Sequence, residues 1–349
     1  MQTRTQAYEA LLATTARLLA RIEHPRSDRV ESAVARFTRS LSVVPSRAER
    51  LPPSDITDGG TPYEFSLRFD ANAVRFRLLW EAQTPDHRSD ARALWGAASG
   101  VNRAASDLAG VDLDSLERVA DLFEPPAESR ASFAMWHALD FDADGRYLLK
   151  VYTNPAARGD PLASTSAALD RLGHAALGGT VRRLVERRPR DTVLYFSLDL
   201  TGRSAARTKV YIAHPGIDLP ELEAHLAACE TYRTGDATSL IRSVSSHEGT
   251  FDKRPLITCL SARPTDAQPV VTIHFPVRSY TRCDAEVLPR LSRLLPTPHV
   301  ALIERLVTND LGLSSTDESR KAISYVSRRG GGDGPLTIYI QPHFVRPAR

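Results

Sequence analysis

TPYEFSLRFDANAVRFRLLWEA, residues 61 to 82, alternates apolar and polar side chains in two consecutive runs. Tyr63, Phe65, Leu67 and Phe69 alternate with Glu64, Ser66 and Arg68, and Val74, Phe76 and Leu78 alternate with Arg75 and Arg77. Successive side chains of a strand point to opposite faces, so this period of two predicts two paired strands with one apolar and one charged face. The pattern returns four times downstream, and its polar face keeps collecting Lys, Arg and Tyr.

Each strand pair follows two stretches of helical spacing. Residues 6–22 and 29–41 precede the first pair, and 89–107 and 114–123 precede ASFAMWHALDF and RYLLKVYTN. LASTSAALDRLGHAAL and TVRRLVERR lead to TVLYFSLDL and ARTKVYIAH; LPELEAHLAAC and SLIRSVSSH lead to PLITCLSA and PVVTIHFPV. DAEVLPRLSRLL and VALIERLVTND lead to KAISYVSRR and GPLTIYIQPHF, joined across Gly330 to Gly334. First strands begin near 62, 131, 192, 255 and 320, which makes five copies of a helix, helix, strand, strand unit. Ten hairpin-connected strands with paired helices predict one antiparallel β-barrel, an α/β domain over residues 1–349 with the helices outside.

Composition narrows the function. With 45 basic and 42 acidic residues the net charge is only +3, and no block of like charge marks a nucleic-acid binder. Three cysteines without CxxC spacing, Cys229, Cys259 and Cys283, suit neither a disulfide framework nor a thiolate metal site and fit a reduced cytoplasm. The N-terminal stretch carries charges throughout, unlike a signal peptide or a membrane span, so no membrane partner is expected.

In such a barrel Phe65, Val151, Val210, Ile273 and Ile338 face the helices. The opposite parity puts Glu64, Arg75, Lys150, Tyr152, Arg207, Lys209, Tyr211, Thr272, His274, Thr337 and Tyr339 in the lumen. Converging cations demand a polyanion, for which a pyrophosphate is the natural counter-charge. Interleaved tyrosines offer π faces that attract and shield a cation. The two together suit ionisation of an allylic diphosphate, with Glu64 orienting an N–H donor and taking up a proton.

These residues carry a resemblance to a known family. TPYEFS with Arg75 eleven residues beyond Glu64, LKVYTNPAA, RTKVYI, ITCLS and TIHFPVRSY occur in order on the predicted strands. With them the chain resembles the dimethylallyltryptophan synthase type of aromatic prenyltransferases, whose fold is the ααββ barrel called ABBA, and particularly the bacterial tryptophan dimethylallyltransferases. The resemblance implies transfer of a dimethylallyl group from dimethylallyl diphosphate to an indole ring, of tryptophan or a tryptophan-derived metabolite, in secondary metabolism. It implies that Glu64 contacts the indole nitrogen, that Arg75, Lys150, Arg207 and Lys209 bind diphosphate, and that Tyr152, Tyr211 and Tyr339 shield the allyl cation. Fungal members carry Gln-x-Tyr where this chain has Thr272-Ile273-His274, which resembles the bacterial branch and puts Thr272 and His274 beside the diphosphate or the shield. No metal or other cofactor is expected, because no DDxxD segment is present and Lys and Arg replace a magnesium clamp. A monomer or weak homodimer is expected.

Two other motifs read as turns. Asp140, Asp142, Asp144 and Gly145 imitate the start of a calcium loop, but its twelfth position is Val151 rather than Glu. GGGDG at 330 lacks the Lys-Ser/Thr and helix of a phosphate loop. Other acceptors (a carbazole, a phenol or a cyclic dipeptide) and a non-catalytic barrel binding a phosphorylated small molecule are the alternatives. The second accounts for the cations and not for the tyrosines.

Overall fold

A computed structural model describes residues 4–41, 54–71, 73–84, 90–310, 321–332 and 334–342. Ten antiparallel strands form a closed barrel: β1 (Tyr63–Asp70), β2 (Ala73–Glu81), β3 (Met135–Phe141), β4 (Tyr147–Thr153), β5 (Thr192–Asp199), β6 (Thr208–His214), β7 (Leu256–Ala262), β8 (Val270–Phe275), β9 (Ile323–Arg329) and β10 (Leu336–Ile340). Each strand pairs with its neighbours in sequence, and β1 pairs with β10, Ser66 opposite Tyr339, to close the ring. This is the antiparallel barrel predicted from the five repeats, and it is the ABBA architecture that the resemblance implies.

Helices precede each strand pair. They are α1 (Arg4–Arg21) and α2 (Ser27–Phe37), α3 (Ala91–Ala105) and the single turn α4 (Asp114–Glu117), α5 (Pro161–Leu172) and α6 (Ala175–Arg187), and α7 (Leu219–Leu226) and α8 (Asp236–Val244). A one-turn helix α9 (Val277–Tyr280) follows β8, and α10 (Asp284–Leu291) and α11 (Thr297–Arg305) precede β9. The break between α5 and α6 falls at Gly173, earlier than the expected boundary after Leu177. Gly173 adopts a left-handed φ of 78° that ends α5 as a C-cap, and Asp160 with Pro161 begins it, the carboxylate accepting from Leu162 and Ala163 N–H.

The strand alternation sorts the side chains. Phe65, Val151, Val210, Ile273 and Ile338 lie outside the sheet in one apolar layer with Leu11, Leu18, Val30 and Val34 of α1 and α2. Every such side chain withdraws from water, at roughly 1.5–3 kcal/mol for a large aliphatic or aromatic group, so a one-residue slip of any strand would forfeit the whole face. A second, smaller apolar cluster of Ile56, Phe133, Trp136, Ala138 and Tyr152 lies on the lumen side.

The two glycine-containing motifs, at 140–145 and 330–334, lie at hairpin turns. Asp142 Oδ1 accepts from the N–H groups of Asp144 and Arg146, and Gly145 takes a φ of 71°. At the last hairpin Gly332 N–H donates to Asp236 Oδ1 at 3.0 Å, and Gly331, with φ 78°, lies so close to that carboxylate that a Cβ has no room. A Cβ on Gly145 would meet the Cβ atoms of Arg26 and Arg29 at 3.0 and 3.1 Å. Gly145→Ala should therefore destabilise the fold by about 1–2 kcal/mol from the left-handed backbone alone, read as a lower denaturant midpoint at unchanged slope.

Candidate active site

Inward positions line a continuous chamber with two chemically distinct halves. One half is bounded by Glu64, Leu79, Trp136, Ala138, Tyr195, Arg254, Ile257 and Tyr325, with about 790 Å³ of space including the solvent at its mouth. The other is bounded by Arg68, Lys150, Arg207, Lys209, Arg329, Thr272, Ser327 and Thr337, with about 530 Å³. Arg77, Tyr211, His274 and Tyr339 belong to both and mark the boundary.

Aromatic rings make that boundary a belt. Tyr211 has its ring 5.8 Å from Tyr152, 5.7 Å from Tyr195 and 5.5 Å from His274, which in turn is 5.9 Å from Tyr339. Tyr325 continues the belt 6.2 Å beyond Tyr339. These separations suit tilted and edge contacts, which leave faces turned towards the chamber. Burial, reinforced by the Arg77 charge, pushes His274 down to about 3, so the imidazole in the belt is neutral. Burial also raises the Tyr211 and Tyr339 hydroxyls, which therefore stay protonated.

Glu64 sits in the apolar half with 7% of its surface exposed. Ser324 Oγ donates to its Oε1 at 2.6 Å. Burial pushes the carboxyl up to about 7, against the hydrogen bonds of Ser324 and Gln341 and the charge of Arg254. A second buried carboxylate, Glu81, stands behind the wall and accepts the Trp136 indole N–H at 2.9 Å, which fixes that ring in the lining. Arg254 spans from this half to the outer mouth, where Asp55 and Asp58 also lie. It pairs with Asp58 and stacks 5.3 Å over the Tyr325 ring.

The cationic half is not a bare cluster of like charge. Lys150 Nζ donates to Asp140 Oδ2 at 2.6 Å, and Arg207 Nε and Lys209 Nζ donate to Asp199 at 2.8 and 3.2 Å. Both carboxyls would be raised by burial, but the neighbouring cations outweigh it and hold them well below the usual carboxylate range. The expectation that the converging cations have only a polyanionic ligand as counter-charge is corrected to a lumen in which two aspartates already compensate part of the charge.

The family model for tryptophan dimethylallyltransferase matches residues 38–297. The chain belongs to the tryptophan dimethylallyltransferase family. It is accordingly an enzyme of prenyl transfer. Among solved structures, 6-dimethylallyltryptophan synthase from Micromonospora olivasterospora, in complex with DMASPP and Trp, is 26% identical with a TM-score of 0.80, covering 96% of this chain and 97% of that one. The 5-dimethylallyl tryptophan synthase from Streptomyces coelicolor, also in complex with DMASPP and Trp, is 25% identical with a TM-score of 0.81, covering 98% and 97%. AnaPT from Neosartorya fischeri, at 15% identity and a TM-score of 0.77 over 96% and 93%, shares the fold.

In this transferase the structure brings Lys150, Arg207, Lys209, Thr272 and Thr337 together in the cationic half and Tyr152, Tyr211, His274 and Tyr339 around the belt. Arg75 is placed differently. It lies near the β1–β2 turn opposite Arg68, 41% exposed, pairs with Asp70 at 2.9 Å, and lines only a rim basin. Arg77, two residues further along the same inward face, takes the place inside the chamber. Arg68, Arg77, Arg329, Asp140, Trp136, Tyr195, Tyr325 and Arg254 are lining groups beyond those expected from the sequence, and Asp199 stands behind Arg207 and Lys209 as their partner. Among the described residues, one cluster has the donor set of a metal site, Asp191, His214 and His225, and it lies apart from both halves of the chamber. Asp191 is already occupied by Arg188 at 2.6 Å and His214 at 2.7 Å, so it reads as a buried ion-paired clamp.

Arg77→Ala should weaken pyrophosphate binding about tenfold or more, on the scale of 1.5–3 kcal/mol for a hydrogen bond to a charged group. Arg75→Ala, which removes a solvent-screened rim contact, should change it less than about threefold. Titration calorimetry of both variants measures the difference.

Proposed function

We infer that this enzyme transfers the dimethylallyl group of dimethylallyl diphosphate to the indole ring of free tryptophan or a close derivative. The observation that carries the reading is the division of one chamber, with the anion-binding cations at one end, the buried Glu64 at the other and a belt of neutral rings between.

Each part has a step. The diphosphate lies among Arg77, Lys150, Arg207, Lys209 and Arg329, whose charges stabilise it as the C–O bond breaks and it departs with the electron pair. The allyl cation faces Tyr152, Tyr211 and Tyr339, whose π faces attract it, and the buried Tyr211 and Tyr339 hydroxyls stay protonated and make poor nucleophiles. The indole rests between Trp136, Tyr195 and Tyr325 with its N–H directed at Glu64. As a ring carbon attacks the cation, positive charge develops on the indole and its N–H bond to Glu64 strengthens, which lowers the barrier. Loss of the proton from the attacked carbon, taken up by the released diphosphate still held in the chamber, restores aromaticity. Arg254 at the mouth suits the carboxylate of an amino acid, and Asp55 and Asp58 suit its ammonium group. Lys and Arg side chains offset the diphosphate charge here, so the reaction is metal-independent.

Incubation with dimethylallyl diphosphate and L-tryptophan, read by mass spectrometry, should yield an acceptor heavier by one prenyl unit. No product from tryptophan or any other indole would overturn the reading. Turnover should persist in excess EDTA; complete loss reversed by magnesium would contradict metal independence.

Glu64 must be ionised to accept the N–H. Its carboxyl stands at about 7, so kcat/KM for the acceptor at saturating donor should fall as pH drops below that value. Glu64→Gln should lower kcat about a hundredfold, abolish this acid limb and leave donor affinity nearly unchanged. An acid limb that survives in the Gln variant belongs to another group.

A further inference from the structure

The inward positions of five neighbouring strands carry charges of alternating sign: Arg77 on β2, Asp140 on β3, Lys150 on β4, Asp199 on β5 and Lys209 on β6. The pairing register builds this ladder. Asp140 lies directly opposite Arg77 and diagonally from Lys150, while Asp199 lies directly opposite Lys150 and diagonally from Lys209. The side chains follow it, with Asp140 Oδ2 2.6 Å from Lys150 Nζ and 3.6 Å from Arg77 Nε. The Asp199 carboxylate takes Arg207 and Lys209.

Among the cations here Lys150 has the least support from solvent. Only 2% of its side chain is exposed, against 10% for Lys209 and 18% for Arg207. A carboxylate on the wall of an anion chamber is otherwise unfavourable, because it repels the ligand through a low-dielectric space. As a bare charge, Asp140 would weaken diphosphate binding, and its removal would tighten it. The hydrogen bond to Lys150 reverses that expectation.

We propose that Asp140 is a positioning residue for diphosphate capture, its carboxylate holding the Lys150 side chain together with Arg77 towards the chamber, ready for an anion, before the ligand arrives. The proposal rests on the reading of this half of the chamber as a diphosphate site.

The electrostatics around Lys150 agree with the geometry. Burial presses its ammonium to release the proton, and Lys209 on β6 and Arg77 on β2 press the same way; Asp140 on β3 and Asp199 on β5 oppose them. Tyr152 lies on its own strand, and Tyr211 on β6 with Arg207 beside it, Cys259 on β7, His274 on β8, Arg329 on β9, Tyr339 on β10 and Arg68 on β1 are the other charged or titratable groups around the chamber. The balance leaves Lys150 at about 7, so it is poised, and Asp140 is the largest contribution on the protonating side. Loss of that contribution leaves a neutral amine at neutral pH, which cannot pair with an anion. Arg77 keeps its charge in either case, since a guanidinium does not titrate in this range.

The test uses inorganic pyrophosphate as the probe, with affinity and proton uptake measured by titration calorimetry from pH 6 to 8.5 in buffers of different ionisation heat. Wild type, Asp140→Asn, Lys150→Met and the double variant Asp140→Asn/Lys150→Arg are compared, so that the titration of pyrophosphate itself cancels. Asp140→Asn is expected to bind as well as wild type or better at pH 6, where Lys150 is more readily protonated, and more weakly at pH 8, by about tenfold for each unit its limb has moved. It should also take up more protons on binding than wild type at pH 7.5. The double variant, which puts a guanidinium that cannot discharge in place of the amine, should lose that extra uptake. Equal pH slopes and equal proton uptake in wild type and Asp140→Asn would overturn the proposal, as would tighter binding by Asp140→Asn at every pH. Should Asp140→Asn fail to fold by circular dichroism, Lys150→Met decides: an alkaline limb that persists without Lys150 removes the basis of the proposal. Wild type that binds no pyrophosphate at all would remove the diphosphate reading itself, and the positioning role with it.

Discussion

Hydrogen bonding between β1 and β10 removes both edges of the sheet, so every backbone group of the ten strands can be paired within the ring. Closure also divides side chains into two populations that cannot exchange without a register slip. Those facing the helices find an apolar layer; those facing inward find a space that ten strands leave too wide for side chains to fill. The chamber follows from strand number, and its chemistry follows from which residue types occupy the inward parity.

An inward set this rich in charge must be solvated by the protein itself. The ladder from Arg77 to Lys209 does so by placing carboxylates between cations at hydrogen-bond distance. Charged pairs in a low-dielectric interior are tolerable when each member is bonded, and a lone member costs several kcal/mol. This compensation is partial. Arg329 and Arg77 add positive charge to the same half, and burial together with Arg207 and Arg68 lowers the Arg329 guanidinium from its ordinary value. A surplus of this kind leaves the empty chamber able to gain from an entering polyanion while keeping its walls in place.

Much of this was legible in the sequence because a period of two is a strong constraint. The five outward residues Phe65, Val151, Val210, Ile273 and Ile338, and the inward Lys150, Tyr152, Lys209, Tyr211, His274 and Tyr339, all follow from alternation alone. The same alternation carried along β2, β5 and β9 reaches Arg77, Tyr195, Asp199, Tyr325 and Arg329. Asp140 escaped the sequence reading. It opens the run Asp140, Asp142, Asp144, Gly145, and the turn that begins at Asp142 draws the eye from a residue still on the strand and still facing inward. Arg254 and Asp58 lie on loops, where no period exists and only the folded chain brings Arg254 over Tyr325. Arg75 and Arg77 share a face, so parity could not separate them. Their distance from the hairpin turn does, because two residues along a strand carry a side chain from the rim to the interior.

The buried carboxylates of one lumen are held in opposite states by their neighbours. Asp140 and Asp199 touch cations directly, and that attraction overrides the burial that would protonate them. Glu64 is buried as well, but it meets a hydroxyl at 2.6 Å and feels Arg254 only through its charge, so burial prevails and its carboxyl rises to about 7. A carboxylate fixed in its ionised state can anchor a cation but is a weak base. One poised near neutrality can gain and lose a proton within a turnover. The neutral rings of the aromatic belt lie between Glu64 and the Lys150, Arg207 and Lys209 cations, and Arg254, in the same half as Glu64, acts on it through charge without overcoming burial. The spacing of charge along the barrel axis therefore decides which acid anchors and which can accept a proton.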